Sequence, residues 1–148
     1  MRAVVQRVTA ARVEVAGELV GSIERGLVAF VAMGKGDGEE QARYLVDKIV
    51  ELRVFEDDKG KMNRALADVA GGLLIVSQFT LYGDTSRGRR PGFDRAMPPA
   101  EAEKLYDHTV MLARARHAPV ATGRFRADMR VLVDNDGPVT LLLETPNP

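Results

Sequence analysis

Cysteine is absent from the 148 residues, which excludes a disulfide framework, a thiol nucleophile, a zinc-thiolate site and an iron–sulfur cluster. Histidine is nearly absent. The two present, His108 and His117, fall on or just after one helical segment, nine residues apart. At about 100° per residue that spacing turns them to opposite faces, so they cannot share a metal or a proton relay, and both are expected to be structural. There is no Gly-x-Ser-x-Gly elbow, no His-Glu-x-x-His, no Walker A sequence and no dinucleotide fingerprint, so neither a metal nor a nucleotide cofactor is expected. No apolar run approaches the roughly 18 residues a membrane helix needs, and the opening MRAVVQRV lacks the apolar stretch of a secretory leader. A cytoplasmic location without membrane attachment is the expectation.

Net charge is also missing, because 21 basic residues cancel 21 acidic ones. A partner that needs a broad cationic footprint, such as duplex DNA, is disfavoured. The distribution is less even. Residues 36–60 carry a net charge of −4, whereas residues 85–97 carry +3 and residues 111–130 carry +4. A local anion site is therefore compatible with overall neutrality, although charge runs often mark no more than a solvated face. With 45% hydrophobic and 28% charged residues the chain has ordinary globular composition, and its length fits a single domain over residues 1–148.

Periodicity supplies the elements. Ala3–Val8, Ala11–Val15 and Leu19–Ile23 read as strands, the last two as a half-buried hairpin, and Gly26–Met33 reads as a central strand covered on both faces. Ala42, Leu45, Val46 and Ile49 recur at helical spacing, with Asp37 and Glu40 resembling a capping box. Strands at Leu52–Phe55 and Leu73–Val76 follow, the latter running into Ser77-Gln78-Phe79-Thr80. A second helix opens at Pro98-Pro99 and stops before Pro119, and closing strands at 129–133 and 139–143 flank a turn at 134–138. The expected architecture is α/β: a mixed, largely antiparallel sheet rolled toward a barrel, with two main helices packed outside. Residues 82–97 have no periodicity and form a candidate cationic border to an active site.

Two polar clusters interrupt apolar strands at their ends. At Ser77-Gln78-Phe79-Thr80, backbone N–H groups leaving a sheet lose their ladder partners and are free to face a ligand carbonyl beside neutral side-chain donors. An oxyanion site is one use of that arrangement; a plain strand terminus is the other. At Asn135-Asp136-Gly137-Pro138-Val139-Thr140, Asp-Gly suits a tight hairpin, while Pro138 removes a donor and leaves carbonyl oxygens to accept from an amine.

These clusters, with Thr122–Met129, Arg87–Pro91 and Gln6-Arg7-Val8, closely resemble the D-aminoacyl-tRNA deacylase family over essentially the whole chain. The resemblance implies a homodimeric cytosolic hydrolase that cleaves the ester joining a D-amino acid, or glycine on a mismatched tRNA, to the terminal adenosine. It implies that Ser77, Gln78, Phe79 and Thr80 line the scissile ester. It further implies that a Gly137-cisPro138 element enters the partner subunit's site and excludes L side chains, that Arg7 steadies this bend, and that Phe125 and Met129 accommodate the adenine. Arg126 and Gly92 depart from the family's pattern. A pocket with neither histidine nor cysteine lacks an evident side-chain base, which favours assistance by the tRNA 2′-hydroxyl over a Thr80 nucleophile. A non-catalytic tRNA-binding module and a generic ester hydrolase are the competing readings.

Overall fold

A computed structural model describes all residues, 1–148. Its frame is one six-stranded sheet. Strands β1 (Arg2–Val15), β2 (Glu18–Ile23) and β3 (Gly26–Ala32) pair antiparallel, with β1 in the middle. Helix α1 (Glu39–Glu51) and the two-stranded ribbon of β4 (Phe55–Glu56) and β5 (Met62–Arg64) then lead to β6 (Gly72–Ser77), which lies parallel to β3. Helix α2 (Pro99–Arg116) carries the chain to β7 (Val120–Thr122), parallel to β6, and β8 (Arg130–Glu144) returns along β1. The order is β2-β1-β3-β6-β7 with β8 on the other side of β1. The ends of the sheet approach each other at Gly21, where any side chain would collide with the Thr122 carbonyl, and so the sheet rolls nearly closed.

Side-chain alternation sorts the core into two parts. Leu27, Ala29 and Val31 of β3, with Leu73 and Ile75 of β6, face the helices within a cluster of 23 buried residues; Val28, Leu74 and Val76 face the inside of the roll with Val8, Val13 and Ile23 in a cluster of seven. The central strands are thus covered on both faces, as their unbroken apolar runs predict. Helix α1 buries Ala42, Leu45, Val46 and Ile49, and Pro99 occupies the first turn of α2, where its missing N–H costs nothing.

Several expectations are corrected. The capping interaction of α1 is made by Gln41, whose side-chain oxygen accepts from the Gly38 N–H at 2.8 Å. Asp37 instead accepts from the Gly34 N–H at 2.7 Å and pairs with the Met1 amine at 2.7 Å. The first two strands are one continuous β1. Leu52 ends α1, so the following strand begins only at Phe55. The strand entering the serine-glutamine cluster stops at Ser77, and Phe79–Tyr82 forms a 3-10 turn. The C-terminal hairpin does not exist: β8 is continuous over 15 residues and both halves pair with β1, while residues 136–139 bulge away from it. The Asp-Gly-Pro signal marks an interruption in pairing, which periodicity cannot distinguish from a reversal of direction.

Candidate functional site

The carboxyl ends of the parallel pair β3 and β6 open into a cavity of about 560 Å³. Its walls come from four places: Val31 to Met33 at the end of β3, Ser77 to Phe79 at the end of β6, the approach to α2 from Phe93 to Ala102, and the turn Phe125 to Met129. The lining is mainly apolar. It holds no histidine, aspartate, glutamate or lysine, and Arg126 is its single charged residue. No side chain in it can act as a general base at neutral pH.

Local structure explains how the polar wall is presented. Gln78, one residue past the strand, is still tied to the sheet, its N–H donating to the Val31 carbonyl at 2.7 Å. Beyond it the chain tightens into the 3-10 turn, whose first N–H groups, those of Phe79 and Thr80, have no partner inside the turn and no capping side chain. The Gln78 Nε2 donates to Thr80 Oγ1 at 2.5 Å. Thr80 is exposed and does not line the cavity, and an amide donor leaves its hydroxyl with no group to take a proton. Phe79, 58% exposed, packs against Phe93 with ring centroids 5.0 Å apart.

The turn is braced from behind. The Arg2 Nη1 donates to the Leu81 carbonyl at 3.1 Å, and the Arg2 guanidinium lies 4.6 Å from the centre of the Tyr82 ring. Tyr82 is buried tightly enough against Gly34 that a methyl group there would strike its ring. Burial, reinforced by the Asp37 carboxylate, pushes the Tyr82 phenol up to about 12 from 10.0, against the opposing pull of Arg2 and Arg95. Opposite, Phe125 packs on Tyr106 at 5.7 Å, and the Tyr106 hydroxyl donates to the Ile75 carbonyl at 2.8 Å. Burial raises the Tyr106 phenol also, with the Asp107 charge adding to it. Both phenols therefore stay protonated and neutral throughout the ordinary pH range.

The fold brings Ser77, Gln78, Phe79, Phe125 and Met129 to one cavity and leaves Arg7, Gly137 and Pro138 outside it. Arg7 sits opposite Leu27 on β3, four residues from Val31, or about 13 Å at 3.3 Å per residue. It is buried, donating from Nη1 to the Val54 carbonyl at 2.7 Å and from Nε to the Asp136 carbonyl at 3.0 Å. Asn135 holds the other side of the bulge, accepting from the Val139 N–H at 2.8 Å. The Gly137–Pro138 bond is cis and both residues are exposed. Gly137 has φ of +136°, and a Cβ there would meet Val139 Cγ2 at 2.9 Å and Arg7 Nη2 at 3.2 Å, so glycine is required. His117 Nε2 lies 2.6 Å from the Gly71 carbonyl, away from the cavity lining, and His108 does not line it either.

Sequence reasoning missed Met33 and Ala102 as lining residues, and it covered Phe93 and Met97 only as part of the 82–97 border without singling them out. They sit in segments that read as strand, loop and helix, and only the tertiary fold makes them neighbours.

Comparison with known proteins supplies the family. The family model described as D-Tyr-tRNA(Tyr) deacylase matches residues 4–144. The chain is 63% identical over 146 residues to a D-aminoacyl-tRNA deacylase of Sorangium cellulosum, covering 98% of this chain and 97% of that protein. It is 57% identical over 145 residues to one of Pseudomonas aeruginosa, covering 98% and 100%. A solved structure titled "c-Myc DNA Unwinding Element Binding Protein" superposes with a TM-score of 0.94 at 41% identity over 99% of both chains. Another, titled as a probable eukaryotic D-amino acid tRNA deacylase, superposes with a TM-score of 0.81 at 18% identity over 96% and 97%, which speaks for the fold. By the extent of these matches, the chain belongs to the D-Tyr-tRNA(Tyr) deacylase family.

Proposed function

We propose that this chain is an editing enzyme that hydrolyses the ester of D-aminoacyl-tRNA, and of glycyl-tRNA(Ala), while rejecting L-aminoacyl-tRNA. The observation that carries the reading is a cavity of nucleoside size without a titratable base, whose wall residue Phe79 opens a 3-10 turn in which the first N–H groups, of Phe79 and Thr80, have no partner. Such donors suit an oxyanion developing on the ester carbonyl. Water then attacks the acyl carbon, the bond to the ribose oxygen breaks, and the proton leaving the water reaches that oxygen by way of the neighbouring tRNA 2′-hydroxyl. Ser77 and Gln78 orient the ester, and Phe125 and Met129 sandwich the terminal adenine.

Handedness is read by exclusion. The main-chain carbonyl oxygens of the exposed Gly137-Pro138 bend accept from the substrate α-amino group and leave no space for an L side chain. In one chain the bend lies at the far end of β3 from the cavity, so this role requires a second copy. The outer edge of β8 is unpaired and Leu142 on it is 81% exposed, which supports a homodimer built on that side. No helix is long and apolar enough to cross a membrane, and we place the enzyme with its tRNA substrates in the cytoplasm. No cofactor is required by this chemistry.

The test is ester loss from D-tyrosyl-tRNA and L-tyrosyl-tRNA under matched conditions. Rapid loss from the D form alone supports the reading; equal rates, or none, overturn it. The cationic loops favour a second reading, a non-catalytic RNA-binding module, which requires salt-sensitive binding with both esters left intact. A generic ester hydrolase would consume free amino acid esters lacking adenosine.

A further inference from the structure

Five arginines stand on two loops that border the cavity. Arg87, Arg89 and Arg90 occupy the exposed segment between Asp84 and Gly92, whose ends are tied by backbone hydrogen bonds of 2.7 and 2.9 Å. That segment runs directly into Phe93, a cavity wall. Arg124 and Arg126 lie on the turn from Gly123 to Met129, closed by the Ala127 N–H donating to the Arg124 carbonyl at 3.2 Å. All five are exposed, and the seven ion pairs of the protein use other cations: the Met1 amine, Arg2, Arg7, Arg12, Arg64 and Arg116. The acids on the same loops are Asp84, Asp94 and Asp128, and Asp84 is occupied with the Ser86 N–H at 2.9 Å. A surplus of unpaired positive charge remains.

Arg126 is the most constrained of them. It lines the cavity and has φ of +62°, a left-handed conformation that costs a residue with a Cβ about 1 kcal/mol and glycine nothing. The turn cannot slide to relieve this. A side chain at Gly123 would strike Met129 Sδ, and the Arg124 N–H points at the same sulfur at 3.4 Å. The turn thus holds an unpaired guanidinium at the mouth of an otherwise uncharged cavity, at an energetic disadvantage that a glycine would avoid.

We propose that Arg126, flanked by Arg124 and by Arg87, Arg89 and Arg90, is a phosphate-gripping rim that holds the sugar–phosphate backbone of a single-stranded RNA 3′ end while its last nucleoside occupies the cavity. The inference rests on the reading of the cavity as an aminoacyl-ester site. Guanidinium groups match phosphate oxygens in a bidentate fork, and the apolar cavity takes the part of the substrate that carries no charge. The rim acts on affinity, whereas the neutral wall acts on the chemical step.

The experiment compares Arg126→Ala, Arg126→Lys and Arg89→Ala/Arg90→Ala on two substrates: D-tyrosyl-tRNA, and the D-tyrosyl ester of adenosine, which carries no phosphate. For the tRNA, KM should rise about fivefold for each guanidinium–phosphate pair removed, with kcat kept, and the slope of log(kcat/KM) against log salt should flatten by about 0.7 for each such pair. Arg126→Lys should restore part of the loss, and the adenosine ester should show no such dependence. Equal loss on both substrates, or an unchanged KM and salt slope, overturns the rim. Binding of an uncharged RNA strand, one bearing no amino acid, with the same 3′ sequence separates this from the catalytic reading. If the variants bind it as tightly as the parent protein while D ester is still hydrolysed, the rim fails and the enzyme stands. If the parent cleaves no ester yet the variants lose salt-sensitive RNA binding, the enzyme fails and the rim stands.

Discussion

The two ends of β3 present opposite surfaces. At its carboxyl end the sheet opens into a concave, nearly uncharged cavity walled by Val31, Ser77, Phe79 and Phe125. Near its amino end, beside Leu27, a convex bend of exposed main chain is fixed from beneath by the buried guanidinium of Arg7. One surface lacks a group to fill it and the other lacks a groove to enter. On the proposed reading neither end alone recognises an amino acid of one hand, because the cavity supplies shape and donors while the bend supplies acceptors for an amine. The difference fits the proposed function, in which the catalytic unit is two chains and each chain divides chemistry from chirality by the length of one strand.

Changes at the convex end should have the largest effects on selection. Gly137→Ala puts a Cβ against Val139 and Arg7 at a φ of +136°, and the displaced bend should lower D-tyrosyl-tRNA hydrolysis on the order of 100-fold with the fold intact by circular dichroism. Arg7→Ala leaves the Val54 carbonyl unpaired and the Asp136 carbonyl unsupported. A loss of about 3 kcal/mol in urea unfolding, with activity falling about tenfold, is the expected outcome. Leu142→Asp on the open edge of β8 should shift the protein toward monomer in sedimentation and reduce hydrolysis in proportion.

The concave end should respond differently. Tyr82 braces the 3-10 turn, and its phenol is raised from 10.0 to about 12 by burial. A raised folded-state value means that the native protein holds the proton more firmly than the unfolded chain. This contribution is complete below about pH 10 and is lost as pH climbs from there toward 12. Urea midpoints should fall across that window in the parent protein and much less in Tyr82→Phe. The smallest effect is reserved for Thr80→Ala, which should keep turnover within about threefold because the hydroxyl has no base beside it. A loss of several orders of magnitude would instead make Thr80 the nucleophile.

Much of this was legible in the sequence. Doubly apolar runs marked β3 and β6, helical spacing marked α1 and α2, and the Ser77-Gln78-Phe79-Thr80 cluster marked the strand end that became a cavity wall. Three things were hidden for identifiable physical reasons. The bulge at 136–139 uses the same residues as a hairpin, so only the shared partner strand reveals that β8 does not reverse. Thr80 follows Ser77 closely in the chain, but the tightening to a 3-10 turn swings it out of the lining. Met33 and Ala102 carry no chemical signature and line the cavity only through tertiary proximity.

The most direct test of the division between two chains is complementation between a protein disabled at the bend, Gly137→Ala, and one whose cavity is filled, Ala127→Trp. Each alone should be nearly inactive on D-tyrosyl-tRNA. Co-expressed in equal amounts they should pair at random, and the mixed dimers, with one intact cavity facing one intact bend, should restore about one quarter of the parent activity. Activity of the mixture no greater than that of the separate variants, with mixed dimers demonstrated by mass, would contradict the account.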